Sequence, residues 1–414
     1  MEKSARFSNI KKIFSSRYTF VAVCFLILTV MNGAQSTFGV FFKPMSQEFG
    51  WSRALTAGPV SVVLLAYGLF SILMGRLKDR FALWKLATVG AVVAGLGFTL
   101  MSTVHNIWEL YIYYGIFVAF GMAATWVPLV SSVANLFTLK RGLMSGITIA
   151  GVACGIGVMP PIASQLIVSF KWRIGALVLG IIIVVSIVIL AQLLRFKPES
   201  EPEREFKHDN SKSSPSAPRS FSLREIMRLK EFWFLLIVWM LWGVPFQVVA
   251  VHIIPYGTDM GLSAVAAATI LTTVGLVGIA GRIAMGYVGD RLGNRVTAFA
   301  CFLLIALAFV GLMLTHSVGF LFVFAVCFGI LSGVSVLLIP LVAEYFGFKE
   351  LGVVSGIAIF TNSIGGAISP PLAGAIYDRT QNYHLAFLLC FATMLAAAIV
   401  TWLFRPRGIN RIVK

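Results

Sequence analysis

The 414-residue chain predicts an all-α polytopic membrane protein with twelve transmembrane helices arranged as two six-helix pseudo-repeats. Three observations carry this. Hydrophobic residues make up 58% of the chain and charged residues only 12%, and the mean hydropathy is +0.91, far outside the range of soluble domains. Apolar runs of about 20 residues, the length that crosses the hydrocarbon core of a bilayer, recur along the whole sequence. Short charged and glycine-proline patterns also return in the second half at a nearly constant offset.

Taken in order, the spans fall at 19–42, 54–75, 84–103, 109–136, 143–169 and 173–195, then 232–256, 264–288, 296–315, 318–343, 353–377 and 384–404. Residues 1–18 form a basic tail. They resemble the start of a signal peptide, but the apolar run behind them continues past Gly33 into Phe38 to Phe42 without a small-residue cleavage site. Two bundles, 19–195 and 231–404, flank a linker at 196–230 whose proline, serine and charge content is that of a disordered tether. At the linker's end Ser222 and Glu225 stand at capping-box spacing, which predicts a short helix leading into the seventh span. Residues 405–414 close the chain as a second basic tail.

The formal net charge of +17 would suggest a nucleic-acid partner in a soluble protein. Here its distribution gives a different answer. With the N-terminus inside, 27 of the 33 Lys and Arg residues fall in the tails and inner loops. Only Lys43, Arg53, Lys171, Arg173 and Arg379 fall outside, and Arg282 lies within a span. That bias places both termini in the cytoplasm, with a bacterial cytoplasmic membrane as the expected location and lipid rather than nucleic acid as the surrounding partner. Five separated cysteines show no pair spacing, so no disulfide, metal or cofactor is expected. No cluster of nucleophile, base and orienting residue points to an enzyme.

The repeats lie at defined places. Gly75-Arg-Leu-Lys-Asp79-Arg80 follows the second span, and Gly286-Tyr-Val-Gly-Asp290-Arg291 follows the eighth, 211 residues later. Ser145-Gly146, Gly155 and Pro160-Pro161 of the fifth span return as Ser355-Gly356, Gly365 and Pro370-Pro371 in the eleventh, 210 residues later. Six plus six spans, a long central loop and this Gly-x-x-x-Asp-Arg turn in both halves resemble the major facilitator superfamily across essentially the whole chain. A narrower likeness lies in Asn32-Gly-Ala-Gln35-Ser-Thr-Phe38 and its continuation through Trp51-Ser-Arg53, in Phe221 to Trp233, in His252-Ile-Ile-Pro255-Tyr256 and in Gly281-Arg282. These are similar to the monocarboxylate transporter and oxalate/formate antiporter branch. That resemblance implies that Arg282 binds the substrate carboxylate.

The chemistry of the residues agrees. An ionised side chain inside a span costs roughly 2.5 to 3.5 kcal/mol on insertion scales, and by default it faces a protein interior or a wet cavity. A guanidinium is permanently charged and can hold a carboxylate through two parallel hydrogen bonds. Arg282 lies eight residues before Asp290, about 12 Å up the helix from the charged turn. Its other reading is an arginine that snorkels to the interface or pairs with a structural carboxylate. All 16 acidic residues fall in loops, tails or near span ends, which favours an anionic ligand as the missing counter-charge.

Around Arg282 the expected substrate-binding residues are His252, Trp126, Gln35, Asn362 and Gln247. Each has a packing alternative, since an aromatic or amide in a span more often serves helix contacts. Proton-coupled relatives often carry an acid one turn before the arginine. Here that position is Gly278, so His252 and the substrate carboxyl are the candidates for carrying a coupling proton. Oxalate antiporters use a second cation and an aromatic cage. The corresponding positions read Ala358 for the lysine and Ser36, Trp126, Val336 and Ser355 for the cage, which favours a monocarboxylate over oxalate. Asp79, Arg80, Asp290 and Arg291 are expected to gate, the carboxylates accepting hydrogen bonds at a neighbouring helix N-terminus; simple loop charges are the alternative for the arginines.

The expectation is therefore a monomeric, proton-coupled secondary transporter of small organic monocarboxylates such as lactate or pyruvate, working by alternating access around Arg282. Carboxylate exchange is the first alternative. Drug efflux is disfavoured because the fourth-span arginine usual in that group is replaced by residues such as Tyr111 and Phe117. A transporter-like sensor is the alternative from another class.

Overall fold

The computed structural model describes residues 16–78, 80–137, 141–196, 222–314, 317–346 and 350–403. Every regular element among them is helical. Among the described residues eleven stretches are long and apolar enough to cross a membrane. One of them holds two of the twelve expected spans, the fifth and sixth, which are two helices meeting at Lys171, where the backbone leaves the helical range with φ 65° and ψ 162°. Large apolar side chains such as Leu69, Ile72, Ile189 and Leu314 are exposed, as lipid-facing surfaces require.

By internal contacts the chain forms two compact units. One is Met1–Trp51 with Gly58–His208, and the other is Ser52–Ala57 with Asp209–Lys414. The boundary thus falls twice around the start of one helix.

In the first unit, α1 (Arg17–Ser36) and α2 (Phe38–Phe49) form one span broken at Thr37. The break has a local cause. Asn32 Nδ2 donates to Leu28 O, Ser36 Oγ to Gly33 O and Thr37 Oγ1 to Ala34 O, so side chains compete with the backbone ladder. Next come α3 (Arg53–Leu77), α4 (Leu83–Met101) and the single turn α5 (Ile107–Leu110). A wider π-helical stretch, Tyr111–Val118, then leads into α6 (Ala119–Leu136) and α7 (Arg141–Leu193). Within the π-helical stretch the Tyr114 hydroxyl donates to Gln35 O at 2.8 Å, beside the break in the first span. Gly33 and Gly155 let α1 and α7 touch backbone to backbone: a methyl at Gly155 would lie 2.7 Å from Gly33 N.

The second unit opens with the predicted capping turn, α8 (Leu223–Ile226), where the Glu225 carboxylate accepts from Ser222 N at 2.8 Å and from Ser222 Oγ at 2.9 Å. Most of the linker lies outside the described residues. α9 (Lys230–Asp259), α10 (Ala264–Leu292) and α11 (Asn294–Leu314) follow. α12 (Val318–Leu331) tightens into a 3-10 segment, Ser332–Leu337, before α13 (Leu338–Phe346). The chain ends in α14 (Leu351–Thr380) and α15 (His384–Leu403). In α14 Pro370 cannot donate to Gly366 O, and the Ser369 hydroxyl takes that acceptor at 3.3 Å. An aromatic core of Trp242, Phe302, Phe309, Phe324 and Phe328 joins α9, α11 and α12.

Candidate substrate site

Arg282 sits on α10 where that helix runs against α12 and the 3-10 segment. Small residues permit this closeness: a methyl at Gly333 would lie 2.5 Å from the Gly281 carbonyl carbon and 2.9 Å from Arg282 N. The guanidinium is part-buried. Its one described hydrogen bond runs from Nη1 to Gly278 O at 3.2 Å, and no carboxylate pairs with it among the described residues. Gly278 lies directly beside it: a methyl there would be in van der Waals contact with Gly329 O at 3.4 Å and with Arg282 Nη1 and Ser332 Oγ at 3.5 Å. Ser332 Oγ is itself held by Gly329 O at 2.7 Å. A strong, part-buried donor with no anion beside it among the described residues is thereby placed inside a span.

The second unit carries three further expected site residues. Asn362 is half-buried on α14 and donates from Nδ2 to Trp239 O at 2.9 Å, a bond that ties α14 to α9. Gln247 is buried on α9. His252 is also buried there, with both ring nitrogens engaged: Nε2 lies 2.9 Å from Pro370 O and Nδ1 lies 3.1 Å from the Tyr383 hydroxyl. A carbonyl can only accept, so Nε2 carries a proton and Nδ1 of the neutral ring accepts from Tyr383. Burial pushes the Tyr383 hydroxyl above its ordinary pKa, against the pull of Arg53, so it stays protonated to fill that role. In this arrangement His252 is a bridge between α9, α14 and the turn before α15.

Gln35 and Trp126 belong to the first unit and are half-buried. The Gln35 backbone carbonyl, at the break in the first span, is taken by Tyr114. The Trp126 indole makes no hydrogen bond among the described residues. Of the expected gating residues, Asp79 lies outside the described residues and Arg80 is exposed beside it. Asp290 is exposed near the end of α10, and the Arg291 guanidinium lies 4.5 Å from the centre of the Tyr287 ring.

Sequence reasoning singled out His252 but missed what holds it. The Tyr383 hydroxyl that meets His252 also accepts from Arg53 Nη1 at 2.5 Å. The signal available was the internal repeat: Asp259 stands 211 residues after Glu48, and Tyr383 stands 210 after Arg173.

The chain matches the Major Facilitator Superfamily over residues 24–332 and 268–411. It belongs to that family. Among curated relatives, mouse monocarboxylate transporter 12 is 28% identical, with 95% of this chain and 85% of the relative covered. Human monocarboxylate transporter 12 is 26% identical over 95% of this chain and 80% of its own length. Rat monocarboxylate transporter 4 is 26% identical over 91% and 80%. Among solved structures, the inward-facing, unoccupied crystal structure of a bacterial homologue of the human lysosomal transporter Spinster superposes with a TM-score of 0.69. It covers 94% of this chain and 95% of its own at 16% identity, a likeness of fold. This facilitator is therefore a multi-pass membrane transporter and not an enzyme.

Proposed function

We propose that this transporter carries small organic monocarboxylates of the lactate and pyruvate class, with Arg282 as the group that receives the carboxylate. The observation that carries this reading is the part-buried Arg282 guanidinium, which has one hydrogen bond to its own helix and no carboxylate beside it among the described residues. An uncompensated cation in a span is costly, and an anionic ligand offsets that cost each time it binds. The absence of a side chain at Gly278 supports the reading, because an acid there would neutralise the same donor. The monocarboxylate transporters among its relatives favour the same substrate class.

In this proposal the substrate meets Arg282 through two parallel hydrogen bonds, and Trp126, Gln35, Gln247 and Asn362 are the further candidates for contact with it. His252, held neutral between Pro370 and Tyr383, is the candidate for the coupling proton. Asp79, Arg80, Asp290 and Arg291 are the candidate gating residues, at span ends that the positive-inside bias assigns to the cytoplasm together with both termini, Asp290 and Arg291 in the last turn of α10.

The test is uptake of radiolabelled L-lactate into proteoliposomes, with and without an inward proton gradient, for the wild type and Arg282→Gln. Gradient-stimulated uptake in the wild type and a loss of at least 50-fold in the variant are expected. Wild-type protein that carries no lactate, yet exchanges internally loaded dicarboxylates, would replace this reading with carboxylate exchange.

A further inference from the structure

The second unit holds a crevice whose lining does not include Arg282, at the end of its spans that the positive-inside bias assigns to the cytoplasm. Val238 and Trp239 of α9, Ala298 and Phe302 of α11 and Leu341 of α13 form its apolar walls. The polar lining is gathered at helix ends: Arg295 is the second residue of α11, Tyr345 the last but one of α13, and Thr401 lies in the last turn of α15. Phe302 stands seven residues beyond Arg295, about 10 Å further into the span. The crevice is thus charged at its mouth and apolar inside.

Two donors of this lining are not used up by the protein. Arg295 gives Nε to Thr401 O at 3.0 Å and Nη2 to Trp402 O, which satisfies carbonyls at the end of α15. Its Nη1 makes no hydrogen bond, and no carboxylate pairs with the guanidinium, among the described residues. Deeper in, Trp239 is only 3% exposed and its buried indole N–H has no partner among the described residues. A buried donor without an acceptor is costly, so an occupant that brings one is favoured. The acids nearest the mouth are Glu231 and Glu344, which act with Arg295 on Tyr345; Glu344 is taken by Asn294 Nδ2.

An occupant has to match that order: an anion outside, an acceptor below it, hydrocarbon below that. A phospholipid carries phosphate, ester carbonyls and chains in the same sequence, and the inner leaflet presents it in the same orientation. A soluble anion would meet the arginine and leave the indole and the walls unmatched. The surroundings agree, because the segment leading into α9 exposes Arg224, Arg228 and Lys230 beside Met227 and Trp233. Basic residues with interfacial aromatics sit at headgroup level, and basic pockets between spans on this side attract anionic headgroups.

We propose that this crevice binds one anionic phospholipid of the cytoplasmic leaflet, with its phosphate on Arg295, an ester carbonyl on the Trp239 N–H and the start of one chain along Val238 and Phe302. The lipid then joins α9, α11, α13 and α15 where their ends meet.

Native mass spectrometry of the full-length protein, delipidated in detergent and returned to phosphatidylglycerol or phosphatidylcholine, tests it. The wild type should retain one phosphatidylglycerol at least fivefold better than phosphatidylcholine. Arg295→Gln should lose that preference, and Arg295→Lys, a charge without the planar fork, should keep part of it. Trp239→Phe keeps the apolar ring and removes the N–H, so retention should fall about threefold. Because Arg295 also holds the end of α15, Ala298→Leu gives an independent arm: it fills the crevice from α11, leaves Arg295 in place and should lower retention at least threefold. Equal retention of the two lipids by the wild type overturns the proposal, as does undiminished retention in either Arg295→Gln or Ala298→Leu. Complete displacement by inorganic phosphate at the lipid's own concentration would make this a plain anion site and overturn it as well. None of these readouts depends on which substrate the transporter carries.

Discussion

The two repeats finish the same end of the bundle in different ways. Both use a left-handed residue at matching places: Gly50 and Gly261 have φ of 66° and 94°, and Lys171 and Gln381 have φ of 65° and 55°. In the first repeat Glu48 accepts from Arg173 Nη2 at 2.8 Å and from the Trp172 indole. Arg173 also donates from Nη1 to the carbonyls of Ser102 and Val104, at 2.8 and 3.1 Å. Acid, cation and carbonyls all belong to the first unit. In the second repeat Asp259 takes the place of Glu48, but the residue matching Arg173 is Tyr383, which cannot supply a charge. Arg53 supplies it, from the first residue of α3.

The difference shows how a duplicated scaffold can diverge. One repeat keeps a complete ion pair of its own. In the other, a tyrosine in place of the cation leaves Asp259 to be matched by Arg53. The borrowed pair is the more enclosed of the two, with side-chain exposures of 14% and 24% against 34% and 43% for Arg173 and Glu48.

The largest effect that could break the comparison comes from exchanging the roles. Tyr383→Arg gives the second repeat its own cation, which should pair with Asp259 and displace Arg53. Lactate uptake is expected to fall at least tenfold, while amide hydrogen exchange of residues 51–58 changes little because the Asp378 cap on the α3 amides remains; uptake at the wild-type level would show that Arg53 is held independently of the missing charge. Next in size is Arg173→Gln. It removes four hydrogen bonds within the first unit, and allowing for their solvent exposure the cost is about 1 to 2 kcal/mol. Thermal unfolding in detergent should fall by several degrees for Arg173→Gln and by less for Arg53→Gln, whose side chain makes two hydrogen bonds among the described residues against four for Arg173. Equal losses would erase the distinction.

Smaller again, Tyr383→Phe removes only the hydroxyl between Arg53 and His252. Lactate uptake is expected to drop about threefold, while exchange of residues 51–58 changes less than twofold because the Asp378 cap remains. The smallest effect concerns what the repeats share. Glycine at Lys171 or at Gln381 relieves a positive φ in each case, and each should gain up to about 1 kcal/mol. A gain at one turn and a loss at the other would mean that the two turns are not equivalent.

Much of this was legible in the linear chain, for reasons that differ by residue. The spans show because each must be apolar over its own length, a local requirement. Arg282 shows because a charge in such a run has no local justification. The capping turn at Ser222 and Glu225 shows because its spacing is short. The interruption at Lys171 falls in the gap expected between 169 and 173, whereas the break at Thr37 lies inside an expected span, because it depends on backbone geometry that an apolar run does not announce. His252 was visible as a residue, but its two partners, Pro370 and Tyr383, lie 118 and 131 residues away.

By itself, the sequence determined the fold class, the pseudo-repeat and the single cation buried in a span, because membrane insertion constrains each helix one segment at a time. Only the tertiary structure decided that Arg53 meets Asp259 and Tyr383 across 206 and 330 residues, and that Asp378 caps α3 across 325. Those residues lie at span ends, where charge is cheap and any partner is admissible, so nothing local to them specifies which one the fold will bring.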